Sequence, residues 1–151
     1  MMKYILSFLI LAVILNESPG QSSEVLSIAR VYKDYFKIGV AVSPRALKTD
    51  EAELIRTQFN SLTAENAMKM GPIHPRDTFY NWDGGDSIRA FAERNNMAMR
   101  GHTLCWHNQT PQWFFKMSAT DTTLVSKEIL LTRLHDHIKT VVARYKGKIY
   151  A

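Results

Sequence analysis

The chain has 151 residues, of which 22% are charged and 46% are hydrophobic, and its formal net charge is +5. This length and this balance suit one folded domain. The basic residues are scattered and form no continuous run, which argues against a nucleic-acid partner. The single cysteine, Cys105, cannot form a disulfide within the chain. The fold must therefore depend on a packed core, and we expect this thiol to be buried and unreactive.

The first 20 residues have the pattern of an export signal. Residues 5–15 are almost continuously apolar, but the run is too short to cross a bilayer. Small residues at Ser18 and Gly20 predict cleavage before Gln21. We therefore expect an exported product, periplasmic or extracellular, that leaves the membrane after cleavage. An uncleaved membrane anchor is the alternative interpretation.

Strands and helices are predicted to alternate after a lead-in at residues 21–36. The predicted strands are 37–42, 59–63 and 97–104, and the predicted helices are 50–58, 86–95 and 123–145. A fourth strand is predicted to begin at 149–151. This alternation favours a parallel sheet with helical crossovers, an α/β fold. The segment 64–85 contains prolines and glycines and predicts a long functional loop.

The helices also carry predicted caps and buried faces. Asp50 and Glu53 have the spacing of a capping box, and Asp86 is predicted to cap the second helix. In the first helix, Leu54 and Ile55 are predicted to face inward. The long helix has one apolar stripe, which comprises Leu134, Ile138, Val141, Val142 and Tyr145. His135 and His137 lie outside that stripe, so we expect both to be solvated.

Polar and aromatic side chains cluster directly after the second and third strands. The cluster members are Glu65, Asn66, Lys69, His102, Trp106, His107 and Gln109. Parallel strands end at one common edge of a sheet, and ligand sites gather there. Aromatic faces beside directed hydrogen-bonding groups suit carbohydrates, which offer C–H faces and hydroxyls. The pattern therefore predicts a single ligand-binding edge.

Simpler explanations exist for several of these residues. Glu65 and Lys69 are four residues apart and could form an ordinary ion pair on a helix. Asn66 could be a turn residue, and Trp106 could belong to the core. Two interpretations remain open for His107. It could support a ligand-binding residue, or it could be a core histidine whose ring nitrogens are hydrogen-bonded.

Other candidate residues are interpreted as structural and not as ligand-binding or metal-binding. The spacing of five between His102 and His107 matches no common zinc pattern, so no metal site is predicted. Trp82 and Trp113 are interpreted as packing residues of their loops.

Four motifs together resemble a known family. They are TAENAMK at 63–69, FYNWD at 79–83, GHTLCWHNQ at 101–109 and PQW at 111–113. In this order they are similar to motifs of glycoside hydrolase family 10, the retaining endo-β-1,4-xylanases. The resemblance extends over residues 37–151.

The resemblance implies an incomplete (β/α)₈ TIM barrel, with about the first three βα units and the start of strand four. It implies xylan or xylo-oligosaccharides as the partner and no cofactor. Glu65, Asn66 and Lys69 would bind the sugar two units to the non-reducing side of the cleaved bond. His102 and Trp106 would line the adjacent subsite. His107 and Gln109 would support these residues from behind.

The resemblance also implies where the chemistry lies. Members of the family use two glutamates, one at the end of strand four and one on strand seven, and these 151 residues contain neither. We therefore expect no catalytic residue in this chain and no activity from it alone. The alternatives are a remnant that binds xylo-oligosaccharides without cutting them, and a half barrel that needs a second chain.

Overall fold

The computed structural model describes residues 26–118 and 120–151. The predicted export signal and the first part of the lead-in lie outside the described residues. Within the described ranges, no helix has both the length and the apolar character needed to cross a membrane.

Three parallel strands form one sheet in the order β1-β2-β3. The strands are β1 at Gly39–Val42, β2 at Ser61–Ala64 and β3 at Ala98–Arg100. Val42 pairs with Ala64, and Thr63 pairs with Arg100. The predicted parallel α/β arrangement is confirmed, and the ends of all three strands meet at one edge.

Helices precede, connect and follow these strands. They are α1 at Ile28–Val31, α2 at Glu51–Gln58, α3 at Met70–Ile73, α4 at Asp83–Arg94 and α5 at Lys127–Tyr145. Short 3₁₀ turns occur at Ala46–Lys48 and Gln112–Phe114. The chain then returns to the sheet, where Tyr150 N donates to Met99 O at 3.0 Å. The last residues therefore lie beside β3, where the sequence predicts the start of a fourth strand.

The core lies between the sheet and the helices. Its most deeply buried members include Val42, Leu62, Ala64, Ile73 and Ile88. Apolar side chains from α5 complete it, since Val141 and Tyr145 belong to the same cluster. Side chains alternate along a strand, so every second residue of β2 points towards the helices. The helices cover this face of the sheet.

The helix that the sequence predicts at 86–95 begins earlier in the structure. Asp86 was expected as its cap, but α4 begins at Asp83 and includes Gly84 and Gly85. A Cβ on Gly84 would lie 2.9 Å from the Cβ of Ala67, and a Cβ on Gly85 would meet the Tyr145 hydroxyl. These glycines permit close packing and do not mark a turn. The predicted loop at 64–85 is also shorter, because it contains α3.

The buried faces of two helices differ from the predicted ones. Leu54 is 58% exposed and Val142 is 50% exposed, whereas His137 is 1% exposed. In α5 the buried residues are His137, Val141 and Tyr145, at a spacing of four. The prediction that His137 is solvated is therefore wrong, because its helical position places it in line with the core.

Cys105 is also placed differently from the prediction, since its thiol is exposed. The reason is that β3 ends at Arg100, so Cys105 lies within the following loop. The caps differ as well. Asp50 makes no side-chain cap bond, whereas Ser126 Oγ accepts from Ile129 N at 3.3 Å and starts α5. Gly147, at φ +74°, follows the end of α5.

Candidate functional site

The end of β2 places the first group of candidate residues. Glu65 N donates to Val42 O at 3.0 Å, which carries the strand pairing one residue past β2. The chain then turns, with Lys69 N donating to Asn66 O at 2.9 Å. Lys69 is only 9% exposed, and its Nζ donates to Asn66 Oδ1 at 2.8 Å. The turn therefore fixes a buried ammonium group against an amide.

The loop after β3 brings aromatic and amide groups to the same place. Lys69 Nζ lies 4.8 Å from the ring centroid of Trp106, a cation–π distance. Gln109 Nε2 lies 3.3 Å from the same Asn66 oxygen. We call Asn66, Lys69, Trp106 and Gln109 the amide–aromatic cluster. Its members come from two different strand ends, so the structure brings together groups that the sequence predicted to meet.

Backbone contacts hold the loop of residues 102–110 in this position. Gly71 N donates to Gln109 O at 2.8 Å, and Gln109 has φ +61°. Thr110 Oγ1 donates to Trp106 O at 2.5 Å and closes a tight turn. The loop is therefore bonded both to α3 and to itself.

Glu65 and His102 share a neighbouring cleft. Its volume is about 470 Å³, and its walls include Thr63 and Arg100. Glu65 is exposed, so its carboxylate is free to accept hydrogen bonds from a ligand. Lys69 bonds to Asn66, and within the described part of the chain no ion pair links Lys69 to Glu65. The ordinary ion-pair interpretation is thereby wrong.

Two further alternatives are settled by exposure and contact. Trp106 is 36% exposed, so it is not a core residue. His107 is exposed and packs edge-on against Trp106, with ring centroids 5.2 Å apart. The core interpretation of His107 is wrong. This contact lets His107 restrict the orientation of the indole.

The other two tryptophans pack their loops. Trp113 Nε1 donates to His74 O at 3.0 Å, and Trp82 stacks on Tyr80 at 4.8 Å. Arg133 of α5 supports the same region by donating to the carbonyl oxygens of Trp113 and Lys116, at 2.5 and 2.9 Å. Sequence reasoning gave no sign of this role for Arg133.

Sequence reasoning also missed a pair of buried histidines. His74 Nδ1 and His137 Nδ1 are 3.1 Å apart, and His137 Nε2 lies 2.9 Å from Leu104 O. Burial lowers the pKa of both rings, and it takes the pKa of His137 to about 4. The spacing of four from His137 to Val141 and on to Tyr145 is the signal that could have placed His137 in the core.

Within residues 26–118 and 120–151, no group of three or more histidine, cysteine, aspartate or glutamate side chains is arranged to hold a metal ion. What the site offers is a set of donors, acceptors and one indole face. Vicinal hydroxyls act as both donors and acceptors, so these groups can bind a sugar.

The chain is similar to known proteins of one family. The profile of glycosyl hydrolase family 10 matches residues 27–151. The endo-1,4-beta-xylanase A of Caldicellulosiruptor saccharolyticus is 48% identical over 126 residues, covering 83% of this chain and 36% of that protein. The endo-1,4-beta-xylanase B of Paenibacillus barcinonensis is 48% identical over 130 residues, covering 86% of this chain and 38% of that protein. The chain thus spans little more than a third of these relatives.

Solved structures show the same relationship. The crystal structure of xylanase XynB from Paenibacillus barcinonensis, complexed with a conduramine derivative, matches with a TM-score of 0.80 at 48% identity. That match covers 86% of this chain and 38% of the other. A mutant protein in complex with xylotriose matches with a TM-score of 0.77 at 43% identity, covering 83% of this chain and 37% of the other. The three strands and their helices are part of a (β/α)₈ barrel, as predicted.

Proposed function

This chain belongs to glycosyl hydrolase family 10, and we propose that it is the amino-terminal part of an exported, retaining endo-β-1,4-xylanase that acts on xylan. The convergence of Lys69, Asn66 and Trp106 carries this proposal. Neither strand end alone provides both the hydrogen-bonding groups and the aromatic face. Together they form a surface suited to one pyranose ring and its hydroxyls.

Each candidate residue has a distinct binding role in this proposal. Asn66 and Lys69 hydrogen-bond hydroxyls of the sugar two units from the cleaved bond, and Glu65 accepts from the same sugar. His102 and Trp106 line the adjacent subsite. Gln109 and His107 hold Asn66 and Trp106 in place, since each contacts one of these residues.

The bond-breaking step needs two carboxyl groups that these 151 residues do not provide. A retaining glycosidase uses one carboxyl as acid and base and another as nucleophile, about 5–5.5 Å apart. We place both outside residues 1–151. The chain therefore supplies ground-state binding and orientation of the sugar, and the remainder of the barrel supplies the chemistry.

Titration calorimetry with xylotriose tests the binding role. We expect the chain to bind xylotriose and the Lys69→Gln variant to bind at least about tenfold more weakly, because it loses the ammonium group that contacts both Asn66 and Trp106. Lys139→Gln is the matched control, since Lys139 is an exposed lysine on α5. Equal binding by both variants, or no heat from folded wild-type chain, would contradict the assignment.

A reducing-sugar assay on xylan tests whether cleavage requires the remainder of the barrel. We expect no release of reducing ends by the 151-residue chain alone. We expect release when a chain that carries the remaining barrel strands of the family is added. Hydrolysis by the chain alone would show that our placement of the catalytic carboxyls is wrong.

Export is tested separately by the site of cleavage. The apolar run at 5–15 and the small residues Ser18 and Gly20 support removal of the first 20 residues. We expect the amino-terminal sequence of the exported product to begin at Gln21. A product that retains residues 1–20 in the membrane fraction would instead support an anchor.

A further inference from the structure

His74 and His137 form a buried pair, and the groups around the pair determine how many protons its two rings need. His74 Nε2 lies 3.0 Å from Asp77 O, and His137 Nε2 lies 2.9 Å from Leu104 O. A carbonyl oxygen only accepts hydrogen bonds, so each Nε2 must carry a proton to bond there. The two Nδ1 atoms are 3.1 Å apart and need one further proton between them. All three hydrogen bonds together require three protons on two rings.

Two neutral imidazoles carry only two protons. In the neutral pair, either both Nε2 atoms keep their protons and the two Nδ1 lone pairs face each other, or one ring carries its proton on Nδ1 and its Nε2 lone pair faces a carbonyl oxygen. One of the three hydrogen bonds is consequently not made. A third proton restores it and gives the pair one positive charge. A fourth would place two N–H groups against each other and break the contact.

The bond to Leu104 connects this pair to the candidate site. Leu104 lies midway between His102 and Trp106 in the loop that follows β3. His137 belongs to α5, whose neighbours Val141 and Tyr145 are core residues. A hydrogen bond from His137 to the Leu104 carbonyl therefore ties the loop to the buried face of α5.

We propose that the His74–His137 pair is a proton-dependent positioning element, which fixes the loop bearing His102 and Trp106 through the Leu104 carbonyl. The link to sugar binding rests on the proposed function. The loop-fixing itself depends only on the hydrogen bonds.

The surroundings of the pair set the pH range of this effect. Burial lowers the pKa of both rings, and Asp77 opposes this for His74 through its carbonyl and its carboxylate. Arg133 faces the same region from α5 and lies 3.9 Å from the Asp77 carboxylate. Tyr80 stacks on His74 at 3.8 Å. Because burial dominates, the third proton binds below pH 6.5, the ordinary histidine pKa.

Other groups around the pair act less directly. Trp113 contacts the His74 ring with its centroid 4.5 Å away and brings no titrating group. Asp136, next to His137 on α5, bonds to His135 at 3.0 Å and raises the pKa of Tyr80 as a minor cause after burial. Neither competes with the two carbonyls for the histidine protons.

The backbone N–H of Gly71 provides a reporter, because it donates to Gln109 O of the same loop at 2.8 Å. Its rate of hydrogen exchange increases when the loop opens more often. His137→Gln keeps an N–H donor for the Leu104 carbonyl but does not titrate. His137→Phe keeps a ring and removes the donor. His135→Gln is the matched control, since His135 is an exposed histidine two residues away on the same helix.

We expect His137→Phe to raise the exchange rate of the Gly71 N–H at least threefold at pH 7.5, with His137→Gln and His135→Gln within about twofold of wild type. Between pH 7.5 and 4, the wild-type rate divided by the His137→Gln rate at the same pH should fall, with a midpoint below 6.5. This ratio removes the pH dependence of the intrinsic exchange rate. A ratio that stays constant, or an unchanged rate in folded His137→Phe, overturns the proposal.

Nitrogen-15 chemical shifts of the histidine rings in wild-type chain test the proton count without any substitution. Below the midpoint we expect both Nε2 atoms to be protonated and one proton to be shared by the two Nδ1 atoms. Independent titration of the two rings, with separate and unshared Nδ1 signals, contradicts the proposal. These measurements need no sugar, so a failure to bind xylotriose would count against the proposed function alone.

Discussion

Gly71 and Gln109 approach each other so closely that only glycine fits at position 71. Gly71 N donates to Gln109 O at 2.8 Å, and a Cβ on Gly71 would lie 2.7 Å from that same oxygen. Real Cβ atoms do not come so close to a carbonyl oxygen. The contact joins α3 to the loop after β3 and holds Gln109 beside Asn66. The amide–aromatic cluster thus depends on a position without a side chain.

Gly71→Ala should weaken sugar binding. The added methyl pushes Gln109 away and lengthens its contact with Asn66, so we expect the Kd for xylotriose to rise about fivefold, near 1 kcal/mol. Calorimetric titration measures this. Pro72→Ala, at the adjacent exposed position, is the control and should leave the Kd within twofold. Equal Kd values for the two variants would contradict the role of Gly71.

Alanine substitutions at Trp106 and Trp113 should have different effects, one on sugar binding and the other on stability. Trp106 contacts Lys69 and is partly exposed, so Trp106→Ala should abolish measurable xylotriose binding at little cost in stability. Trp113 bonds to His74 O and packs on His74 and Phe114. Trp113→Ala should therefore lower the free energy of unfolding by about 3 kcal/mol. Urea unfolding and calorimetry distinguish the two variants, and reversed effects would show that the assignments are exchanged.

The strand order and the ligand-binding edge could be predicted from the sequence because both follow from alternation. Apolar runs such as 37–42 mark buried strands, and helical patterns between them require parallel crossovers. Once the strands are parallel, Asn66 and Trp106 must emerge at the same edge. Their contact partners could not be predicted, because the bond from Lys69 to Asn66 depends on how the turn after β2 folds.

The errors have a common physical origin in tertiary contacts. Gly85 was interpreted as a breaker, but it lies inside α4 because Tyr145 occupies the space where a side chain would be. His137 was expected in solvent, but it is buried because His74 and Leu104 O satisfy its ring nitrogens. In each case, the deciding partner is distant in sequence and leaves no local pattern.

Stability should fall when the pH drops below the ordinary histidine range. His137 has a pKa of about 4 in the fold, because burial penalises its charged form, whereas the ordinary pKa of histidine is 6.5. Between these values the unfolded chain binds more protons, so the free energy of unfolding decreases as pH falls from 6.5 to 4, by at most about 3 kcal/mol. Above pH 6.5 this contribution is fully present.

Urea midpoints at pH 7.5 and pH 4.5 measure this loss. In His137→Gln the difference between the two midpoints should be smaller than in wild type, because residue 137 no longer titrates. His135→Gln should keep the wild-type difference, since His135 is exposed in the fold. A wild-type chain that becomes more stable as the pH falls through this range would contradict the predicted direction of the stability change.

Gly85→Ala should destabilise the fold even though alanine is the better helix former. Alanine favours a helix interior by about 1 kcal/mol over glycine. At Gly85, however, the new methyl collides with the buried hydroxyl of Tyr145, and overpacking of this kind costs about 1–3 kcal/mol. We expect a net loss of stability in urea unfolding. Adding Tyr145→Phe removes the colliding oxygen, so Gly85→Ala should cost less in that background than in wild type. Independent, additive effects of the two substitutions would show that Gly85 and Tyr145 do not share this contact.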